Sequence, residues 1–143
     1  MRVIVLLIFW GLISGCGNRE VANHKDLDEN MLDLRIFHDN LGTYIRSQDL
    51  ETSRWLLEGM DSTLQVIRKK FTSHRKLDDP FDVYYRKMMS GPVKDIRKAL
   101  KEENFENATR AYRLLTKNCN NCHRDLEIRK EVEDWTSGER THK

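Results

Sequence analysis

The chain has 143 residues, enough for one domain, and its charge is nearly balanced, with 25 Lys and Arg against 23 Asp and Glu. This balance argues against a nucleic-acid-binding protein, which needs a basic excess. Apolar residues make up 38% of the chain and charged residues 34%, so we expect a thin core between solvated faces. Seven Gly and two Pro are too few for a turn-rich β protein. The composition favours helices.

The first 15 residues are typical of a bacterial export signal, and we set residues 1–15 aside from the fold. Arg2 supplies a positive charge, and an apolar run over residues 3–13 follows it. This run is too short for the roughly 20 residues that span a bilayer. It ends in Leu12-Ile13-Ser14-Gly15-Cys16, which resembles the lipobox of bacterial lipoproteins. We therefore predict a lipid on Cys16; the alternative is an ordinary secretion signal with an incidental cysteine.

The lipid would hold the protein on a membrane of the bacterial cell envelope, facing the periplasm, rather than thread it through the bilayer. Residues 16–25 lack apolar periodicity and are predicted to be the lipidated N-terminus and a short solvated tether. At the other end, residues 136–143 are predicted to be a polar tail. The folded part is therefore expected between these two segments.

From Leu27 onward, apolar residues recur at alternating spacings of three and four, the pattern of helices packed in a bundle. Breaks are predicted at residues 47–49, at 72–80 and at Asn104, which leaves four helices. The third is expected to be interrupted at residues 90–92, with Pro92 in the first turn of a new helix. No segment alternates with period two for long enough to be a strand. Residues 26–135 are therefore predicted to form an all-α, antiparallel four-helix bundle.

The last predicted helix carries Cys119-Asn120-Asn121-Cys122-His123, the C-x-x-C-H pattern of c-type haem attachment. Two thiols at this spacing reach the two vinyl groups of one porphyrin, and the adjacent imidazole coordinates the iron. Three other interpretations compete: a zinc site, which needs four ligands, a thioredoxin-like redox pair, which needs a βαβ context, and a disulfide within one turn. Predicted export supports haem, because c-type haem is attached outside the cytoplasm.

A helical bundle with this motif in its last helix resembles the class II cytochromes c, the group that includes cytochrome c-prime and the cytochromes c-556. The resemblance is closer to small exported monohaem members, which have His, then Leu and an aromatic residue in the first helix, as in residues 38–44 here. An aromatic residue early in the second helix, as at Trp55, and the segment 105–116 are also similar. The resemblance implies a bundle with one covalent haem c on its C-terminal helix, anchored through Cys119 and Cys122, with His123 as the proximal iron ligand.

Two positions depart from that pattern. Cytochromes c-prime usually have an aromatic residue three positions after the haem histidine and a basic residue four positions after it. Here Leu126 and Glu127 occupy these positions, although Arg124 follows the histidine directly. The difference argues against a proximal pocket built for gas capture.

The sixth iron position has two candidate ligands in the first helix. If the last helix continues about ten residues past His123 to Trp135, antiparallel packing places His123 opposite residues 34–38. His38 then becomes the predicted distal ligand, since a buried imidazole is costly unless something binds it. Met31, one heptad earlier on the same stripe, is the second candidate. An open sixth position is the third alternative.

Three functions follow from these alternatives. Two strong axial ligands indicate a monohaem cytochrome that carries electrons to a redox partner protein at the membrane. An open or weakly held position indicates a protein that binds NO, CO or O₂, and absence of haem leaves a lipoprotein scaffold. No set of acid, base and nucleophile surrounds the motif, so no enzyme activity is predicted. Homodimers are common among such bundles, and the basic run Arg68-Lys69-Lys70 is a candidate docking site for an acidic partner.

Overall fold

The computed structural model describes the backbone of residues 19–73 and 77–137, and within these ranges the side chains from Leu27 onward. Its regular structure is entirely helical, and the described ranges contain no strand. In chain order the elements are α1 (Arg19–Arg46), α2 (Leu50–Lys70), α3 (Phe81–Tyr84), a π-helical turn (Tyr85–Met89), α4 (Ser90–Lys101) and α5 (Phe105–Asp125). The predicted all-α class is confirmed.

Two of the predicted breaks use the same local device. Gln48 and Glu103 have φ angles of 59° and 55°, a left-handed conformation that a helix cannot continue through. The next residue in each case, Asp49 or Asn104, accepts a hydrogen bond on its side-chain oxygen from the backbone N–H three residues on, at 3.0 and 2.9 Å. These N-caps satisfy donors that the first turn leaves free, so α2 and α5 begin where the sequence predicts.

The predicted interruption at residues 90–92 is replaced by continuous helical backbone from residue 81 to residue 101. Pro92 has no N–H to donate to the carbonyl of Met88, four residues earlier, and the π-helical turn lies just before it. The Nδ2 of Asn118 in α5 donates to that same Met88 carbonyl at 2.6 Å. A side chain from another helix therefore satisfies the backbone group that the proline leaves without a donor.

The helices pack in a closed circuit, with α1 against α2, α2 against α4, α4 against α5, and α5 back against α1. Short connections make neighbouring helices antiparallel, the arrangement of an up-and-down bundle. The predicted apolar stripes form the core between them. The largest fully buried side chains are Leu41, Ile45, Leu57, Met60, Leu64, Ile67, Phe71, Val93, Ile96, Leu100, Tyr112 and Leu115.

The chain does not continue as a helix to Trp135. α5 ends at Asp125, and Glu127 adopts a left-handed conformation with φ 55°. The backbone N–H of Ile128 then donates to the carbonyl of His123 at 2.7 Å, which closes the turn. Residues 126–137, here called the return segment, run back along α5 without helical structure. The premise that ten helical residues follow His123 is therefore wrong.

At the other end of the chain, α1 begins at Arg19, inside the segment 16–25 that the sequence assigns to the tether. The predicted signal peptide and the predicted lipid site at Cys16 lie outside the described residues. In the ranges that the structure covers, no helix combines the length and the apolar character needed to cross a membrane.

Candidate functional site

The C-x-x-C-H residues occupy the last two turns of α5, and both thiols lie on its core side. Cys119 is partly buried and packs against the hydrophobic core, while Cys122 is only 5% exposed. Both are free cysteines. Burial raises the pKa of Cys119 to about 12 and, with the nearby Asp125 carboxylate, that of Cys122 to about 11. The two thiols are therefore protonated at neutral pH, unlike the thiolate of an activated redox cysteine.

His123 has one ring nitrogen held by the protein. Its Nδ1 donates to the backbone carbonyl of Lys130 in the return segment at 2.7 Å. A carbonyl can only accept, so Nδ1 carries the proton and Nε2 has a free lone pair in the neutral ring. Among the described residues, none makes a hydrogen bond with Nε2. A metal-bound imidazole has this same arrangement, with one nitrogen on a carbonyl and the other on the metal.

The return segment is fixed to α5 at two further points. Asn120, between the two cysteines, donates from Nδ2 to the carbonyl of Val132 at 2.9 Å and accepts on Oδ1 from the N–H of Val132 at 2.7 Å. Two helical turns before Asn120, Arg113 Nε lies 3.0 Å from Asp134 Oδ2 and 3.2 Å from Thr136 Oγ1. The Lys130 carbonyl, which accepts from His123, therefore belongs to a segment that contacts the C-terminal half of α5.

His38 lies in the core, 3% exposed, and both of its ring nitrogens have protein partners. Nε2 lies 2.9 Å from Thr116 Oγ1, whose own hydrogen goes to the Tyr112 carbonyl, so Nε2 is the donor in this pair. Nδ1 lies 3.1 Å from the Tyr112 hydroxyl and 3.2 Å from Asp39 Oδ1. The imidazole also stacks on the Tyr112 ring at 4.6 Å. We call these four residues the His38 network.

The structure does not bring His38 and His123 together. His38 contacts Tyr112 and Thr116, which precede the C-x-x-C-H motif by one to two turns. In antiparallel helices, a residue earlier in α1 lies level with a residue later in α5. Met31, seven residues and about 10 Å before His38, therefore lies near the level of His123, seven residues after Thr116. Met31 is partly buried and packs against the core.

The aromatic residues Trp55 and Tyr112 have different surroundings. Trp55 is 67% exposed and meets Phe37 edge-on, with ring centroids 6.2 Å apart. Tyr112 belongs to the His38 network, and burial together with the Asp39 charge raises its pKa above the ordinary value. Of the other three histidines, His24, His74 and His142, no side chain is described.

The described part of the chain contains no group of three or more His, Cys, Asp and Glu side chains arranged to hold a metal ion. What the end of α5 offers is two protonated thiols one helical turn apart and one imidazole with a free nitrogen. This donor set fits a haem that is bonded through two thioethers and ligated by one histidine.

Sequence reasoning missed the residues that hold the site in place. The Lys130 carbonyl and the Asn120 amide carry no periodicity signal, since one is backbone and the other is a variable position of the motif. Asn118 in α5, which donates to the Met88 carbonyl beside Pro92, has no local signature either. Tyr112 stands on the predicted apolar stripe of α5, and that placement was the one available hint of a contact with His38, whereas Thr116 had no such signal.

Comparison of the chain with protein-family models, with curated proteins and with solved structures finds no match. The functional argument therefore rests on the residues of the site itself.

Proposed function

We propose that this protein is a monohaem c-type cytochrome that carries electrons at the periplasmic face of a bacterial membrane, where a lipid on Cys16 anchors it. The observation that carries the proposal is the pairing of the C-x-x-C-H residues with a histidine whose Nδ1 is held at 2.7 Å and whose Nε2 is free. A covalent haem would supply one-electron chemistry at its iron. The protein residues bind it, orient its ligand and set its surroundings.

The two cysteines suit attachment for a geometric and a chemical reason. A three-residue spacing places Cys119 and Cys122 on neighbouring positions of one helical turn, and both are packed on the core side. Each S–H adds across one vinyl group, so a C–S bond forms and no atom leaves. Burial raises both thiol pKa values, so at neutral pH the two cysteines are thiols and not activated thiolates.

Met31 is the distal ligand that the register of the helices supports best. It lies near the level of His123, whereas His38 contacts α5 two to three turns before His123, and both nitrogens of His38 already have protein partners. A thioether is a neutral ligand that needs no second-shell partner and no change of protonation. In this proposal His38 is a structural residue, and Met31 and His123 are the two residues that would ligate the iron for electron transfer.

The redox partner in this proposal is an acidic protein at the same membrane. Arg68, part of the basic run considered for docking, bonds to Asp82 at 2.5 Å and lies over the Tyr85 ring. An alternative basic surface lies on the π-helical turn and α4, where exposed lysines recur at spacings of seven, four and three. None of them forms an ion pair within the described residues: Lys87, Lys94, Lys98 and Lys101. Such a row of lysines favours binding to an acidic surface on the partner protein.

Absorption spectra of three proteins, produced with c-type maturation machinery, test the proposal. We expect a low-spin ferrous spectrum for the wild type and for His38→Ala, and a high-spin spectrum that shifts on adding CO for Met31→Ala. A wild type that is already high-spin and binds CO would support gas binding instead. A low-spin spectrum lost only in His38→Ala would return the ligand role to His38. A protein without covalent haem would leave the lipoprotein scaffold.

A further inference from the structure

We infer that Asn120 is a positioning residue: its side chain docks the return segment so that the Lys130 carbonyl fixes the imidazole of His123 and tunes the iron bound to it. The inference rests on the proposed function, because the tuning requires a haem. It adds a role for a position that the C-x-x-C-H pattern leaves open to any residue.

The contact between Asn120 and the return segment is a two-point backbone mimic. The amide donates to the Val132 carbonyl at 2.9 Å and accepts from the Val132 N–H at 2.7 Å, as a neighbouring strand would. Val132 and Lys130 stand two residues apart, and both turn their carbonyls toward α5 side chains. Fixing Val132 in place therefore also holds the Lys130 carbonyl over His123.

The other attachments of the return segment do not replace this contact. On the near side, the hydrogen bond from Ile128 N to the His123 carbonyl closes the turn but precedes Lys130. On the far side, Arg113 pairs with Asp134, and the Arg113 side chain is half exposed, so solvent weakens the ion pair. Apart from His123 itself, which donates to the Lys130 carbonyl, Asn120 is the described residue whose side chain holds residues 129–133 by hydrogen bonds.

A hydrogen bond from Nδ1 of a metal-bound histidine makes the imidazole a stronger electron donor and fixes the plane of its ring. Stronger donation stabilises the ferric iron more than the ferrous iron, and the reduction potential is lower as a result. If Asn120 loses its amide, the return segment moves away and water replaces the carbonyl of Lys130 as a mobile acceptor. The imidazole then donates less and its ring turns more freely.

Asn121 provides a matched control inside the same motif. Its Oδ1 accepts from Arg124 Nη2 at 2.9 Å, and no hydrogen bond joins it to the described part of the return segment. Asn120→Ala and Asn121→Ala therefore remove the same amide from neighbouring positions, and both leave the two cysteines and the histidine intact. Asn120→Gln keeps both amide groups on a side chain one carbon longer.

The experiment measures three quantities on haem-loaded wild type and on these three variants: haem per chain, amide exchange at Val132, and reduction potential. We expect equal haem in all four proteins. In Asn120→Ala we expect Val132 exchange faster by about tenfold, the equivalent of one lost hydrogen bond, and a more positive potential. Asn121→Ala should match the wild type, and Asn120→Gln should lie between the wild type and Asn120→Ala.

A loaded Asn120→Ala protein with wild-type exchange and potential would overturn this inference alone. An Asn121→Ala protein that shifts equally would do the same, because the effect would then belong to the motif and not to the docking contact. If Asn120→Ala does not load haem, Asn120→Gln decides: faster Val132 exchange with a more positive potential supports the inference, and wild-type values overturn it. A wild type without covalent haem would instead overturn the proposed function, and the tuning role would fall with it.

Discussion

The two histidines whose side chains the structure describes have opposite environments. His38 lies in α1 against α5, and His123 lies in α5 itself. His38 is buried, and each of its nitrogens is hydrogen-bonded to the protein. His123 lies at the end of α5, with Nδ1 on a backbone carbonyl and Nε2 free of hydrogen bonds from the described residues. A buried imidazole whose partners are complete contributes to stability, because it leaves no polar atom unsatisfied. An imidazole with one nitrogen free of protein partners can bind a further group there.

The comparison also separates α5 into two functional parts. Its middle, around Tyr112 and Thr116, is joined to α1 by the His38 network and packs tightly. Its end, around Cys119 and Cys122, has free thiols and is held by the return segment instead. We therefore expect substitutions in the middle to change the free energy of unfolding, and substitutions at the end to change haem binding.

Alanine at each histidine gives the largest contrast in stability. His38→Ala removes the side-chain partner of Thr116 and the ring stacked on Tyr112, and it opens a cavity in the core. The expected loss is roughly 2–4 kcal/mol of unfolding free energy. His123→Ala removes one hydrogen bond at a solvent-accessible helix end, so a loss of about 1 kcal/mol or less is expected. Urea unfolding of both variants without haem measures this, and equal losses would remove the distinction between the two sites.

Alanine substitution at two glycines tests how closely the helices pack. A Cβ at Gly42 would lie 2.9 Å from Trp135 Cβ and in closer contact with the Tyr112 hydroxyl, both held in place by their surroundings. Gly42→Ala should therefore cost about 1–3 kcal/mol. At Gly91 a Cβ meets nothing within 4 Å, and Gly91→Ala should stabilise the helix by about 0.5–1 kcal/mol. Thermal unfolding of the two variants should shift in opposite directions, and a harmless Gly42→Ala would show that the His38 network is loosely packed.

The smallest expected effect concerns the Tyr112 hydroxyl and depends on pH. Tyr112→Phe should cost about 1 kcal/mol at pH 7, because the one hydroxyl hydrogen of Tyr112 is shared between Nδ1 and the backbone carbonyl of His38, each 3.1 Å away. Burial raises the pKa of Tyr112 above its ordinary value of 10.0, so the unfolded chain ionises first as the pH rises. The wild type therefore keeps this stability below about pH 10 and loses it above.

The phenylalanine variant has no such ionisation, so the stability difference between the two proteins should shrink above pH 10. Unfolding free energies at pH 7, 9 and 11 check this expectation. A difference that stays constant across this range would mean that Tyr112 ionises as easily in the folded protein as in the unfolded one.

Local signals determined how much of the fold the sequence could predict. The capping residues Asp49 and Asn104 act within one turn, so both breaks were predicted where they occur. The interruption predicted at residues 90–92 is absent from the structure. A residue distant in sequence, Asn118, donates to the carbonyl that Pro92 leaves without a donor. The end of α5 at Asp125 was missed because Glu127 has no signature for a left-handed conformation.

The same rule applies to the candidate site. The C-x-x-C-H residues are contiguous in sequence, and the structure places all of them at the end of α5. Pairing residues across helices needs a register, and the register assumed for His38 depended on a helix that ends ten residues early. Shortening α5 moves the level of His123 from His38 toward Met31, which is why the structure changes the preferred distal ligand.

The mass of the purified, denatured protein shows whether a haem is bonded to Cys119 and Cys122, as proposed. The protein is produced with c-type maturation machinery, next to the variant Cys119→Ala/Cys122→Ala. We expect the wild-type chain to carry the mass of one haem that survives denaturation, and the double variant to carry none. A wild-type chain at its bare polypeptide mass under conditions that mature a known c-type cytochrome would contradict the account.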